Sequence, residues 1–252
     1  MASKTISKTL DQKLAKIHAG KYTSKDFIIA DAKDADMAFG AAAPQRGRNR
    51  EEYLEDMKAL SKQGVLDILL TSASNGQRLV AEKSLNSKIT LAVRANDSTD
   101  IWYQRGATYG TKPSLPFRST NLKRIKKFSD LVLYSITLNN DPAADRETLA
   151  AFKEFRIEAA ELGVRYFLEV FNPNKPADLA AKDIPTFIND SIIKTLAGVT
   201  VEERPTFLKI AYNGAKALKE LASHDSSLVV GVLGGSAGTT RDAFELLHRA
   251  EE

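Results

Sequence analysis

Residues 131–171 read LVLYSITLNN DPAADRETLA AFKEFRIEAA ELGVRYFLEV F, and their pattern recurs along the whole chain. Two apolar runs of β type flank one amphipathic helical stretch. Both runs are nearly continuous rather than alternating, which is typical of strands buried on both faces of a parallel sheet. Asn140-Asp141-Pro142 supplies an N-cap and an early proline for the helix, and Gly163 supplies its C-cap. The stretch therefore predicts a strand, a helix and a second, parallel strand.

The same alternation extends in both directions along the chain. Seven β-type runs recur, and they are DFIIADA (from Asp26), VLDILLTS (from Val65), ITLAVRA (from Ile89), LVLYSITL (from Leu131), VRYFLEVF (from Val164), TFLKIAY (from Thr206) and LVVGVLG (from Leu228). Such an alternation gives either an open doubly wound sheet or a (β/α)8 barrel. Polar clusters follow strand after strand, and a barrel builds its active site from those strand ends. We therefore predict an α/β fold, a TIM-type barrel over residues 26–252, after an N-terminal helical extension over residues 1–25.

The eighth strand of such a barrel is missing from the sequence pattern. A helical stretch follows the seventh run and reaches Glu252, and the first two dozen residues are helix-prone. A closed barrel has no edges, whereas seven strands leave the first and the seventh with unpaired backbone groups. We therefore expect a gap between these two strands, a natural protein that continues past Glu252, and little or no activity from the chain as it stands.

Composition limits the classes of function that remain. The 252 residues contain no cysteine, so thiol nucleophiles, thiolate metal sites and disulfide-stapled domains are excluded. The net charge is +4, and the basic residues are spread along the chain. The densest basic run, Lys123 to Lys127, is expected to form the solvated face of one helix. No apolar stretch approaches the roughly 18 residues of a membrane span. We expect a cytoplasmic protein, with no nucleic acid and no membrane among its partners.

Charged residues inside the apolar runs are candidates for chemistry, and two of them belong to neighbouring runs. Lys209 lies in PTFLKIAYNG and Glu169 in RYFLEVFNPN, which belong to neighbouring strands of the predicted barrel. Burial disfavours an ammonium group, and the neutral amine is the form that attacks a carbonyl to give a Schiff base. The carboxylate is the obvious partner of the amine. The sequence leaves open whether the two form a structural ion pair or an acid/base couple.

Further candidates follow the ends of other strands. Asp31 and Asp34 end the first strand, and Asp31 is the preferred candidate because it lies closer to the strand. Arg94 ends the third strand, where its guanidinium could hold an anionic substrate group or pair with an aspartate. Asn213 follows the sixth strand and is expected to contact the substrate.

A glycine-rich loop joins the last strand to a helix. Gly234, Gly235 and Ser236 belong to GVLGGSAGTTRDAF, in which the glycines let the backbone approach a ligand. The start of the following helix favours an anion, and phosphate sites in barrels commonly follow strands seven and eight. This loop predicts a phosphate site, with a plain tight turn as the alternative.

A lysine in the apolar sixth strand, an aspartate ending the first and GGS after the seventh resemble the Schiff-base (class I) aldolases of the DhnA, LacD and deoxyribose-phosphate aldolase group. The resemblance extends from about Asp26 to the end of the chain. It implies that Lys209 forms an iminium with a ketose or aldehyde and that Asp31 assists proton transfer or holds a substrate hydroxyl. The amides of Gly235 and Ser236 would bind a phosphate, and Glu169 falls where the group places another acid/base residue.

The resemblance also implies reversible cleavage of a carbon–carbon bond in a phosphorylated sugar, without a metal or cofactor, by an enzyme expected to be a homo-oligomer. The sequence departs from the group at the first strand, where DAKDADM replaces a DxG-type turn, and at the seventh, which has no lysine. The substrate therefore stays open.

Two alternatives remain. A divalent-metal-dependent lyase or epimerase on the same barrel would use Asp31, Asp34 and Glu169 as oxygen ligands. A barrel could also bind a sugar phosphate without turning it over. Reductive trapping with borohydride distinguishes the first interpretation from both alternatives, because only an iminium can be reduced onto the lysine.

Overall fold

The computed structural model describes residues 7–40, 49–96, 105–234 and 248, and these contain seven strands and eight α-helices. The strands are β1 (Ala30–Lys33), β2 (Ile68–Thr71), β3 (Thr90–Arg94), β4 (Leu131–Thr137), β5 (Arg165–Phe171), β6 (Leu208–Ile210) and β7 (Val230–Val232). The helices are α1 (Thr9–His18), α2 (Ala35–Phe39), α3 (Arg50–Gln63), α4 (Ala73–Ala81), α5 (Leu122–Ile125), α6 (Pro142–Leu162), α7 (Ile184–Ala197) and α8 (Ala215–His224). Among these helices we find none with the combined length and apolarity that a bilayer-spanning segment requires.

The seven strands form one parallel sheet in the order in which they occur along the chain. A doubly wound sheet would reverse that order at a switch point, whereas a barrel continues around in one direction. The sheet curls, with helices following its strands, and the predicted α/β architecture is confirmed: the described residues form seven successive strands of a (β/α)8-type barrel. Within the described residues β1 pairs only with β2, and β7 pairs only with β6.

The unit of β4, α6 and β5 forms as its sequence predicts. Asp141 caps α6, because its side chain accepts hydrogen bonds of 3.0 Å from the amides of Ala143 and Ala144. Gly163 ends the helix with a φ of 61°, a left-handed conformation that favours glycine. On the inner side of this helix Phe155 stacks on Tyr134 of β4, with ring centroids 4.1 Å apart. Aromatic packing therefore attaches α6 to the outward face of the sheet.

The first strand begins later than its apolar run predicts. Residues Ser24–Asp26 form a short 3-10 turn, in which Asp26 accepts hydrogen bonds from the backbone and the hydroxyl of Thr23. Lys16 of α1 also forms an ion pair with Asp26, at 2.6 Å. These contacts fix the start of the run as a turn, so β1 contains only Ala30–Lys33.

Helix α1 covers the amino-terminal end of the sheet. Leu10 and Leu14 are buried against apolar side chains on the inward face, which include Ile68, Phe167 and Phe207. Lys13 reaches Asp67 at 2.6 Å, and Asp11 reaches Arg165 at 2.6 Å, so both ion pairs join the helix to residues at the starts of strands. The predicted extension is thus packed into the base of the barrel.

We expect Leu10→Ala to lower the free energy of unfolding by about 2–5 kcal/mol, because Leu10 is fully buried between α1 and the inward face. Leu149→Ala is the matched control, since Leu149 on α6 is 36% exposed and should lose much less. Urea unfolding followed by circular dichroism measures both. Equal losses for the two variants would show that α1 does not cover the base in solution.

Candidate active site

Strand register aligns one row of residues across the inward face near the carboxyl ends of the strands. Ser135 of β4 lies opposite Glu169 of β5, Glu169 lies opposite Lys209 of β6, and Lys209 lies opposite Gly231 of β7. Side chains alternate between the two faces of a strand, so residues in register share a face. The predicted neighbours Lys209 and Glu169 are therefore in direct contact.

The lysine and the glutamate form a close ion pair. The Nζ of Lys209 lies 2.5 Å from Oε1 of Glu169. The glutamate side chain is 2% exposed and the lysine side chain 22% exposed, so the lysine is partly accessible to solvent and the glutamate is buried. An accessible amine with a buried base beside it is an arrangement suited to attack on a carbonyl.

Ser135 connects this pair to a second one. Its hydroxyl donates a hydrogen bond of 2.8 Å to Oε2 of Glu169 and accepts one of 3.2 Å from the guanidinium of Arg94. Arg94 also donates to Asp34, at 2.9 Å. Asp34, Arg94, Ser135 and Glu169 are all buried. A continuous chain of hydrogen bonds, which we term the inner polar chain, thus runs Asp34–Arg94–Ser135–Glu169–Lys209.

Arg94, a predicted substrate-binding residue, is buried and donates hydrogen bonds to three neighbours. Its Nε donates to the backbone oxygen of Asn96 at 2.8 Å, and its other nitrogens donate to Asp34 and Ser135. Asn96 in turn exchanges two hydrogen bonds of 2.8 Å with the backbone of Ser135. The structure therefore uses Arg94 to join β1, β3 and β4, with the guanidinium buried under the site.

Asp31, predicted as the catalytic residue of the first strand, is not brought into this group. Asp31 is in register with Leu69, which packs against helices on the outward face of the sheet. Asp34 is an odd number of residues further along, so it faces inward. Asp31 pairs with Lys33 instead, at 3.2 Å. The structure therefore places Asp34, and not Asp31, beside Arg94 on the inward face.

The carboxylates proposed as metal ligands also do not converge. Asp31 lies on the outer face, and Arg94 and Ser135 lie between Asp34 and Glu169. Within the described ranges no three histidine, aspartate or glutamate side chains are grouped as metal ligands would be. The residues named for the metal-dependent alternative therefore do not form one ligand set.

Asn213 lies just beyond β6 and pairs with Asn172, which lies just beyond β5. The two side-chain amides exchange hydrogen bonds of 2.8 and 2.9 Å. Both residues are half-buried, and they lie in the segments that follow the strands of Glu169 and Lys209. Gly234 follows β7 and is exposed. Gly235 and Ser236 lie outside the described residues.

A separate polar group lies near the end of β2. Asp36 of α2 accepts hydrogen bonds from Ser72 at 2.7 Å and from Asn75 at 3.0 Å, and Arg50 donates to Asn75 at 2.9 Å. Partial desolvation raises the pKa of Asp36, although the Ser72 hydroxyl opposes the shift. The carboxylate of Asp34, at the end of the inner polar chain, also raises the pKa of Asp36.

Sequence reasoning missed Ser135, Asn96 and Asn172, and it ranked Asp34 second. Ser135 is a polar residue within an apolar run, as Lys209 and Glu169 are, and this is the signal that could have found it. Asn172 directly follows β5, and Asn96 follows β3 after Ala95. The position alone marked them as candidates, because the carboxyl ends of barrel strands carry the polar groups of a site.

We expect Arg94→Met to cost about 3–5 kcal/mol of folding stability, because it leaves the buried carboxylate of Asp34 without its partner. Adding Asp34→Asn should recover part of that loss, since the unpaired charge is then removed. Urea unfolding of the two single variants and the double variant measures the coupling between them. Strict additivity would contradict a direct interaction between the two side chains.

Comparison with solved structures identifies the fold. Cgl0159 from Corynebacterium glutamicum (Brevibacterium flavum) matches with a TM-score of 0.66 and 17% sequence identity, over 95% of this chain and 81% of that one. A fructose-bisphosphate aldolase from Slackia heliotrinireducens matches with a TM-score of 0.66 and 15% identity, over 96% of this chain and 74% of that one. A scan against protein-family models gives no match, and a search of the curated proteins gives none. At these identities the likeness is one of fold: the chain has the barrel fold of structures that include an aldolase, as its sequence resemblance predicted.

Proposed function

We propose that the protein is a lyase of the class I aldolase type, in which Lys209 forms a Schiff base with the carbonyl group of a phosphorylated sugar or aldehyde. The observation that carries this proposal is the ion pair between Lys209 and Glu169, 2.5 Å apart on the inward face. It combines a reachable amine with a buried carboxylate at the carboxyl ends of barrel strands, where barrel enzymes have their active sites.

In the proposed reaction, Glu169 accepts a proton from the Lys209 ammonium, and the amine then adds to the carbonyl carbon. The resulting carbinolamine loses water when the proton returns to its hydroxyl, which leaves an iminium. Cleavage of the neighbouring carbon–carbon bond sends its electron pair into the iminium to form an enamine, while a base takes the proton of the departing hydroxyl. Protonation and hydrolysis of the enamine then release the second product and restore the lysine.

Substrate binding is assigned to residues around this pair. The amides of Asn172 and Asn213 lie on the loops beside Lys209 and would donate to and accept from substrate hydroxyls. The backbone amides of Gly235 and Ser236 would hold the phosphate, as the glycine-rich sequence predicts. Arg94 would act through Ser135 and Glu169 rather than through contact with the substrate.

We expect Lys209→Met to abolish reductive trapping of a ketose or aldehyde phosphate by borohydride. Lys33→Met is the matched control, because Lys33 is also half-buried on a strand and ion-paired but faces outward. Intact mass after incubation with a panel of carbonyl phosphates detects the adduct. Trapping needs only the amine and a carbonyl, so it tests Schiff-base formation separately from full turnover.

An adduct that persists in Lys209→Met would show that Lys209 is not the residue that forms the Schiff base. If the wild-type protein gives no adduct with any member of the panel, a barrel that binds sugar phosphates without turnover becomes the better interpretation. Circular dichroism of both variants establishes that each is folded before trapping is compared.

We expect Gly235→Leu to weaken binding of a phosphorylated substrate more than binding of its unphosphorylated analogue. The side chain would prevent close approach of the backbone to the phosphate, and the rest of the substrate would be unaffected. Isothermal titration calorimetry with the two compounds measures the difference. Equal losses would mean that the substitution disrupts the loop and that no phosphate contact is made there.

A further inference from the structure

The basic run that the sequence analysis assigned to a solvated helix face borders a cavity. Helix α5 ends at Ile125, so Lys126 and Lys127 lie beyond it, at the amino-terminal end of the barrel. The cavity there measures about 570 Å³ and is lined by residues from the start of α1, the end of α4 and the segments before β3 and β4. It lies at the opposite end of the strands from Lys209.

Four lysines line this cavity, namely Lys8, Lys83, Lys126 and Lys127. In the part of the chain that the structure describes, none of the four forms an ion pair with a carboxylate. Lys8 donates to the backbone oxygen of Ile89 at 2.8 Å, and Lys126 donates to that of Leu162. Hydrogen bonds to carbonyl groups hold these amines in place without neutralising their charge.

The described lining residues include one acidic residue. Asp130 is 2.9 Å from Arg165 of β5, which also pairs with Asp11, so the charge of Asp130 is partly balanced from outside the cavity. Four lysines and one aspartate leave the lining with an excess of positive charge, and a concave site with such an excess concentrates counter-ions, because its low-dielectric walls focus the field. The cavity is therefore a place where an anion gains more than it would beside scattered surface lysines.

Lys83 occupies a backbone position that favours glycine. Its φ is 52°, and its amide closes the end of α4 by donating to Val80 at 3.0 Å. Left-handed closure of a helix usually employs glycine or asparagine, because other side chains are strained there. The chain here places an amine at the rim of the cavity in spite of that strain.

From these observations we infer that the cavity is a binding site for a small polyanion, a molecule that carries two or more phosphate or carboxylate groups. Its volume lies within the range of small-molecule sites, roughly 300–1,000 Å³. Lysine ammonium groups bind phosphate oxygens as point charges, and several together select for multiple negative charges. This inference is independent of the chemistry proposed for Lys209.

The first experiment locates the ligand on the unmodified protein. Inorganic pyrophosphate is added at fixed ionic strength, and the rate of lysine acetylation is followed site by site by mass spectrometry. We expect acetylation of Lys83 and Lys127 to slow at least threefold, while that of Lys153 and Lys194, which are exposed on other helices, stays unchanged. Orthophosphate at the same ionic strength should protect at least tenfold less effectively.

The second experiment removes two amines. Calorimetric binding of pyrophosphate should weaken at least tenfold in the double variant K83A/K127A and change less than twofold in K153A/K194A, which removes the same charge. Loss of binding in K83A/K127A with retained binding in Lys209→Met would separate this site from the proposed catalytic one.

Three results would each overturn the inference. The first is equal protection of all lysines by pyrophosphate, and the second is equal weakening of binding in both double variants. The third is protection of Lys83 and Lys127 by vesicles of anionic lipid where pyrophosphate gives none.

Discussion

The inner polar chain is the constraint around which the barrel is built. A charge on the inward face of a parallel sheet has lost its water, at a cost of several kcal/mol per ion unless a partner and further hydrogen bonds replace it. Each charge in the chain has such a partner: Asp34 has Arg94, and Glu169 has both Ser135 and Lys209. Because the partners come from different strands, the charges are compensated only when those strands are in register. The polar residues thereby specify the register that the apolar residues stabilise.

The inward face of the sheet is buried in different ways at the two ends of the barrel. At the amino-terminal end, α1 covers the inward face with Leu10 and Leu14, and ion pairs at its edge hold the helix in place. At the carboxyl end the inward residues become polar, and the interior opens at Lys209. The apolar end contributes stability through buried area, whereas the polar end gives up some of that stability to keep an amine within reach of solvent.

Much of this arrangement can be predicted from the sequence. The apolar runs predict seven parallel strands, and Lys209 and Glu169 stand out because each is a charge inside such a run. The choice between Asp31 and Asp34 could not be predicted, because it depends on which residues of β1 face inward. The apolar run begins with the turn at Ser24–Asp26, so the run does not show where β1 begins. The role of Ser135 arises from its register with Glu169 and its contact with Arg94, and local patterns carry no information about either.

The register position of Gly231 bears on access to Lys209. Lys209 has the carboxylate of Glu169 on one side and a residue without a side chain on the other, where an added Cβ would lie 3.1 Å from the backbone oxygen of Leu208. Under the proposed chemistry the side of β7 is then the open side of the amine, since the carboxylate occupies the side of β5. A larger residue at Gly231 would press on the backbone of β6, so the close packing of these two strands itself keeps that side clear.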